Sequence, residues 1–155
     1  MGGLDRMIAS RKKDGVATGD PDADTLLRED PNAVLIGVLL DQQIRAEMAF
    51  SGPLKLYERL GHLDMEKMAE MHPEAFKEMF AEKPAVHRFS NMMADRVQNL
   101  ARTIADEYDG DASGLWSDAD DDQTIEKRAK KLPGFGAAKV KTLIAALDLF
   151  GHRAT

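Results

Sequence analysis

The sequence predicts an all-α protein, a compact bundle of about seven or eight helices in one domain. Three observations carry this. No segment alternates apolar and polar residues for long enough to build a sheet. Met93, Val97, Leu100, Ile104 and Tyr108 recur at steps of four, three, four and four, the spacing of one helix face. Helix-start signals, an oxygen-bearing side chain or a proline, stand before most of the apolar runs.

Taken in order, residues 1–19 (MGGLDRMIASRKKDGVATG) are rich in glycine and charge without sustained periodicity, and are expected to form a loose arm ahead of a helical domain over 20–155. Asp20-Pro21 caps and opens a helix over 22–28, with Ala23, Leu26 and Leu27 on one face. Asp30-Pro31 opens the most apolar stretch, 33–43, expected to be the buried central helix. Residues 45–60 continue with Met48, Phe50, Leu54, Leu56, Tyr57 and Leu60, and Gly52-Pro53 is expected to bend or restart that helix before Gly61 closes it. Asp64 caps a short helix over 65–71, and Pro73-Glu74 starts another over 75–81. The long periodic helix follows a Ser90-Asn91 cap. Residues 109–122 form an acidic surface connection pinned by Leu115-Trp116, and helices over 125–131 and 136–149 complete the chain.

The 155 residues contain no cysteine, which excludes disulfides, thiolate zinc sites, iron–sulfur clusters and cysteine nucleophiles. His62, His72, His87 and His152 never share a helix face, so a histidine metal site is not expected. The longest apolar run, residues 33–40, is far shorter than the roughly 20 residues that span a bilayer, and no signal-peptide pattern opens the chain. No membrane association, a cytoplasmic location and a monomer are the expectations. Met48, Met79 and Met93 read as packing residues, and Trp116 as an anchor for the acidic loop.

The net charge of −6 argues by itself against a polyanion partner, yet it conceals a split. Residues 105–126 carry nine acids and no lysine or arginine, whereas residues 127–155 carry seven bases against one acid, Asp148. Such asymmetry fits either a patch facing a polyanion or two solvated faces that attract each other.

The basic part contains the most informative element, residues 132–139 (LPGFGAAK), between a basic helix and an apolar one. Pro133 ends the first helix, while Gly134 and Gly136 allow a tight turn that brings backbone close to a ligand. The first amides of the next helix have no partner within it and lie at its positive end, where a phosphate fits. Lys131 and Lys139 flank these amides, and His87-Arg88 ahead of the long helix offers either a phosphate contact or a plain surface pair. A simple connector between helices is the competing reading of the turn.

This hairpin resembles that of the helix-hairpin-helix base-excision DNA glycosylases, the superfamily named for this motif plus a Gly/Pro-rich segment and an aspartate (HhH-GPD). Residues 35–43 (LIGVLLDQQ) are similar to the family's early apolar helix ending in glutamine, and residues 87–108 to the helix preceding the hairpin. The likeness covers roughly residues 20–151 and is strongest to small members without an iron–sulfur cluster.

The resemblance implies binding to duplex DNA, damaged or abasic, through Gln42, Gln43, Lys131, Gly134, Phe135, Gly136, Ala137 and Lys139. Gln43 best matches the family glutamine that fills the gap left by an extruded nucleotide, with Gln42 beside it. No cofactor is required, although family hairpins hold a monovalent cation on backbone carbonyls, here those of Leu132 and Phe135. Family members flip a damaged nucleotide and cleave its glycosidic bond with the help of a carboxylate. Bifunctional members also use a hairpin lysine as nucleophile. That lysine's position is Ala138 here, with Lys139 about 100° further around the helix. The family aspartate has no matching position up to Thr155, which leaves the catalytic residues unassigned, with Asp148 and Asp41 as weak substitutes. Three functions stay open: a small glycosylase, a non-catalytic DNA-binding module of the same fold, and a helical protein-interaction domain whose working surface is the acidic segment.

Overall fold

The computed structural model describes residues 3–153. Among them lie nine α-helices and no strand: α1 (Gly3–Asp14), α2 (Pro21–Glu29), α3 (Pro31–Leu40), α4 (Ala46–Leu60), α5 (Met65–Glu70), α6 (Pro73–Ala81), α7 (Ser90–Glu107), α8 (Asp122–Lys130) and α9 (Ala137–Leu149). A 3-10 turn, Ala112–Leu115, interrupts the acidic connection.

The centre of the fold is α3. Every residue from Ala33 to Leu40 is buried, because α2, α4, α7, α9 and the 3-10 turn surround it. A helix covered on all sides has no use for a polar stripe, which explains why this segment is apolar throughout. Asp20 and Asp30 cap α2 and α3 by accepting the N–H groups of Asp22 and Asn32. Asn32 then ties the start of α3 to distant loops. Its side-chain nitrogen donates to the carbonyls of Leu63 and Gly110, and its oxygen accepts the Ala112 N–H.

The expected loose arm over 1–19 is not what the described part of it, residues 3–19, forms. Residues 3–14 form α1, which packs on α4 and α9, and Met7 is fully buried. The segment after it is pinned by Asp24, whose carboxylate accepts the N–H groups of Ala17 and Thr18 and the Thr18 hydroxyl. Arg11 also reaches from α1 to the Leu149 carbonyl at the end of α9.

Two further expectations are revised by packing. The helix through Gly52-Pro53 runs on as one element, although Pro53 has no N–H to give the preceding turn. Gly52 lies against α3 so closely that an added Cβ would sit 2.6 Å from Leu40 Cδ1. The α3–α4 contact therefore holds the chain helical where local preference would break it. Residues 41–45, read as the end of α3 and start of α4, are an irregular loop. In the second part of the chain α5 and α6 pack on α7, and Gln98 of α7 donates to the last carbonyls of α5, those of Met68 and Met71. The expected Ser90-Asn91 cap is replaced by Phe89, whose N–H is taken by His87 Nδ1 at 3.0 Å.

No helix of the described residues is long and apolar enough to cross a membrane, and no cluster among them could hold a metal through His, Asp or Glu side chains.

Candidate nucleic-acid interface

The loop after α3 exists because its carbonyls find donors outside the helix. Asp41 N–H turns back to the Val38 carbonyl and Gln42 N–H to that of Leu40, tightening the last turn. Beyond the Asp41 C-cap, Gln43 takes φ +60°, in the left-handed region, and turns the loop. A buried helix C-terminus leaves carbonyls that water cannot reach, so side chains must serve them. Lys139 Nζ donates to the carbonyls of Leu39 (3.0 Å) and Asp41 (3.1 Å), with Val38 at 3.5 Å. His87 Nε2 lies 3.1 Å from both the Leu40 and the Gln42 carbonyls.

These contacts fix the protonation of His87. Nδ1 accepts from Phe89 and Nε2 faces only acceptors, so the ring is neutral with its proton on Nε2. Burial, which holds its pKa below the usual 6.5, has the same consequence. Burial also holds the Lys139 ammonium below the usual lysine range, against the opposing pull of Asp41. It raises Asp41 above the usual carboxylate range despite the nearby Lys139 charge. The end of α3 is thus a half-buried charge pair set among backbone carbonyls.

Lys139 sits in the first turn of α9, so its bonds to α3 clamp the hairpin to the glutamine loop. Gly134 completes the junction. Its φ is +82°, and an added Cβ would stand 3.2 Å from Leu39 Cδ1, so both backbone conformation and space favour glycine. Phe135 N–H closes the turn on the Leu132 carbonyl at 3.2 Å. Gly136, extended at φ −91° and ψ −175°, is the N-cap of α9, with no side-chain bond to the helix's first amides.

The sequence-predicted residues divide accordingly. Gln43, Lys131, Gly134, Gly136 and Ala137 are exposed around this junction. Phe135 is not a surface contact: its ring is 5% exposed and belongs to the core. Lys139 does not stand free beside the hairpin amides, because its ammonium is committed to α3. Gln42 is half-buried and tied to Arg96, whose Nη1 donates to its side-chain oxygen at 2.8 Å, which leaves Gln43 as the exposed glutamine. The expected surface pair His87-Arg88 splits, with His87 1% exposed and Arg88 outside, stacked 5.1 Å from the Phe89 ring centroid. Asp148 is exposed near the other end of α9, about 16 Å along the axis from the hairpin. Asp41 alone of the two carboxylates adjoins the site.

The charge asymmetry is partly consumed internally. Arg128 pairs with Asp118 at 2.6 Å and Arg153 with Asp122 at 3.5 Å, so two of the seven late bases bind the acidic segment. His152 packs edge-on against Trp116 and bonds to the Leu27 carbonyl, holding that segment to the body. Two exposed cations that sequence reasoning passed over, Arg6 and Arg45, meet elsewhere, on Glu47. Nothing in the periodicity marks them, because they gather only when α1 folds back on α4.

An all-helical core in which a Pro-Gly-x-Gly turn joins two helices and docks on the end of a buried third defines a helix-hairpin-helix protein. The family model for HhH-GPD superfamily base excision DNA repair proteins matches residues 36–154, and the chain belongs to that superfamily. No curated protein and no solved structure gives a significant match.

Proposed function

We propose that this protein binds duplex DNA at abasic or extruded-nucleotide sites, with the hairpin gripping the backbone and Gln43 entering the gap. The observation that carries the reading is the Lys139 clamp, which locks the turn of α8–α9 to the loop bearing Gln43. In this reading the unpartnered amides at the start of α9 receive a phosphate, assisted by the exposed Lys131, and supply position rather than sequence. A left-handed Gln43 backbone set in the free protein aims the inserting residue and leaves only its side chain to be ordered on binding. The Leu132 carbonyl accepts only the Phe135 N–H among backbone donors and retains a lone pair, which suits a monovalent cation held with the Phe135 carbonyl.

The same geometry argues against strand cleavage by a hairpin lysine. Ala138 stands at the position of that nucleophile, and Lys139 Nζ is occupied by carbonyls. Lesion recognition without lyase chemistry is therefore the function the site supports best. Fluorescence anisotropy against a duplex with an abasic-site analogue and its undamaged twin, at two salt concentrations, tests it. Tighter, salt-sensitive binding to the lesion is expected, and equal or absent binding at low salt refutes it.

A further inference from the structure

Beside the Gln43 loop lies an open groove of about 540 Å³ lined by Arg6, Gln43, Ile44, Arg45, Met48 and Arg88. Arg6 comes from α1, which lies before the residues matched to the family, Arg45 and Met48 from the start of α4, and Arg88 from the segment before α7. The arginine side chains fork at one edge around a single carboxylate. Glu47 accepts Arg6 Nη2 at 3.2 Å on one oxygen and Arg45 Nη2 at 2.9 Å on the other. Desolvation pushes the Glu47 carboxyl up, but a hydrogen bond from its own backbone N–H, joined by those from Arg6 and Arg45, holds it below the usual carboxylate range. Arg88, also on the lining, is held over the Phe89 ring. The floor is apolar, with Met48 half exposed.

We infer that this groove carries the sugar–phosphate backbone of the bound duplex away from the Gln43 loop, and that α1 supplies Arg6 to that path. The inference rests on the DNA-binding reading above and names the surface that extends it. The charges match the occupant: three guanidinium groups, each able to grip a phosphate through two parallel N–H groups, outnumber the one carboxylate. Ile44 and Met48 offer the apolar contact that deoxyribose accepts. Continuity supports it too, since Gln43 lines the groove and also projects from the lesion-facing loop. Glu47 holds two arginines pre-aimed in the free protein and yields them to phosphate when DNA arrives.

The test measures the slope of log affinity against log salt for the unsubstituted protein and three variants on the abasic-analogue duplex. Arg6→Gln and Arg88→Gln each lower the slope by about one, the loss of one phosphate contact. Glu47→Gln instead raises affinity at a slope near the parent's, because the two arginines no longer give up a carboxylate to reach phosphate, and a gain in affinity is one that misfolding cannot produce. The preference for lesion over undamaged DNA stays unchanged in all three. Unaltered slopes in Arg6→Gln and Arg88→Gln of normal helicity, or no gain in affinity in Glu47→Gln, with the parent still binding DNA, overturn the inference. Failure of the parent to bind any DNA overturns the underlying reading instead, and this inference with it.

Discussion

Replacing Lys139 by methionine separates two accounts of the same residue. In the structure Lys139 donates two hydrogen bonds of ordinary length to carbonyls at the end of α3, at 3.0 and 3.1 Å. Because burial lowers its pKa, the ammonium gains little from its charge there, and each bond is worth the ordinary net value of about 1 kcal/mol. Methionine keeps the apolar stem but leaves the Leu39 and Asp41 carbonyls without that donor, so the loss is about 2 kcal/mol. For a domain of this size that lowers Tm by about 4–8 °C. Thermal unfolding followed by circular dichroism reads the change. Lesion preference should fall as well, because the Gln43 loop loses its anchor. An unchanged Tm together with a uniform loss of affinity for all DNA would refute the reasoning, since that is the signature of a lysine that merely touches phosphate.

Three further outcomes follow from the same corner. His87 is neutral in the fold with a depressed pKa, so the unfolded chain binds the proton better. Its contribution to stability is complete above pH 6.5 and is lost as pH falls below that value, a dependence that His87→Gln should flatten in urea titrations. Asp41 has a raised pKa, so its contribution is complete below the unfolded value of 3.8 and is lost as pH rises through the folded one. Asp41→Asn should accordingly raise Tm at pH 7, with the gain shrinking towards pH 3.8 and below. Borohydride added to the protein with abasic duplex should trap no covalent adduct, whereas an adduct mapped to Lys139 would restore a lyase role.

Most of the helices could be read from the sequence because their determinants are local. Asp20, Asp30 and Asp64 cap the helices they were expected to cap, and α7 follows its apolar spacing. The revised elements are those that tertiary contacts decide. In α1 the apolar group Leu4, Met7 and Ile8 spans little more than one turn, too short to stand out among Arg6, Arg11, Lys12 and Lys13 until α4 and α9 cover it. Gly52-Pro53 is a local break that packing against α3 overrides. The hairpin and the glutamines were visible as motifs, yet the direction of Lys139 was not. Spacing places it one turn into α9, but only the approach of α3 turns its ammonium inward. The tethering of Gln42 likewise depends on Arg96, fifty-four residues away in sequence.

The hairpin and the Gln43 loop are proposed to form one DNA-binding surface. Backbone amide chemical shifts followed by NMR during titration with an abasic-analogue duplex test it most directly. The amides of Gln43, Gly134, Gly136 and Ala137 should shift together at one apparent affinity. Shifts confined to the acidic segment 106–126, with these four amides unmoved, would contradict it.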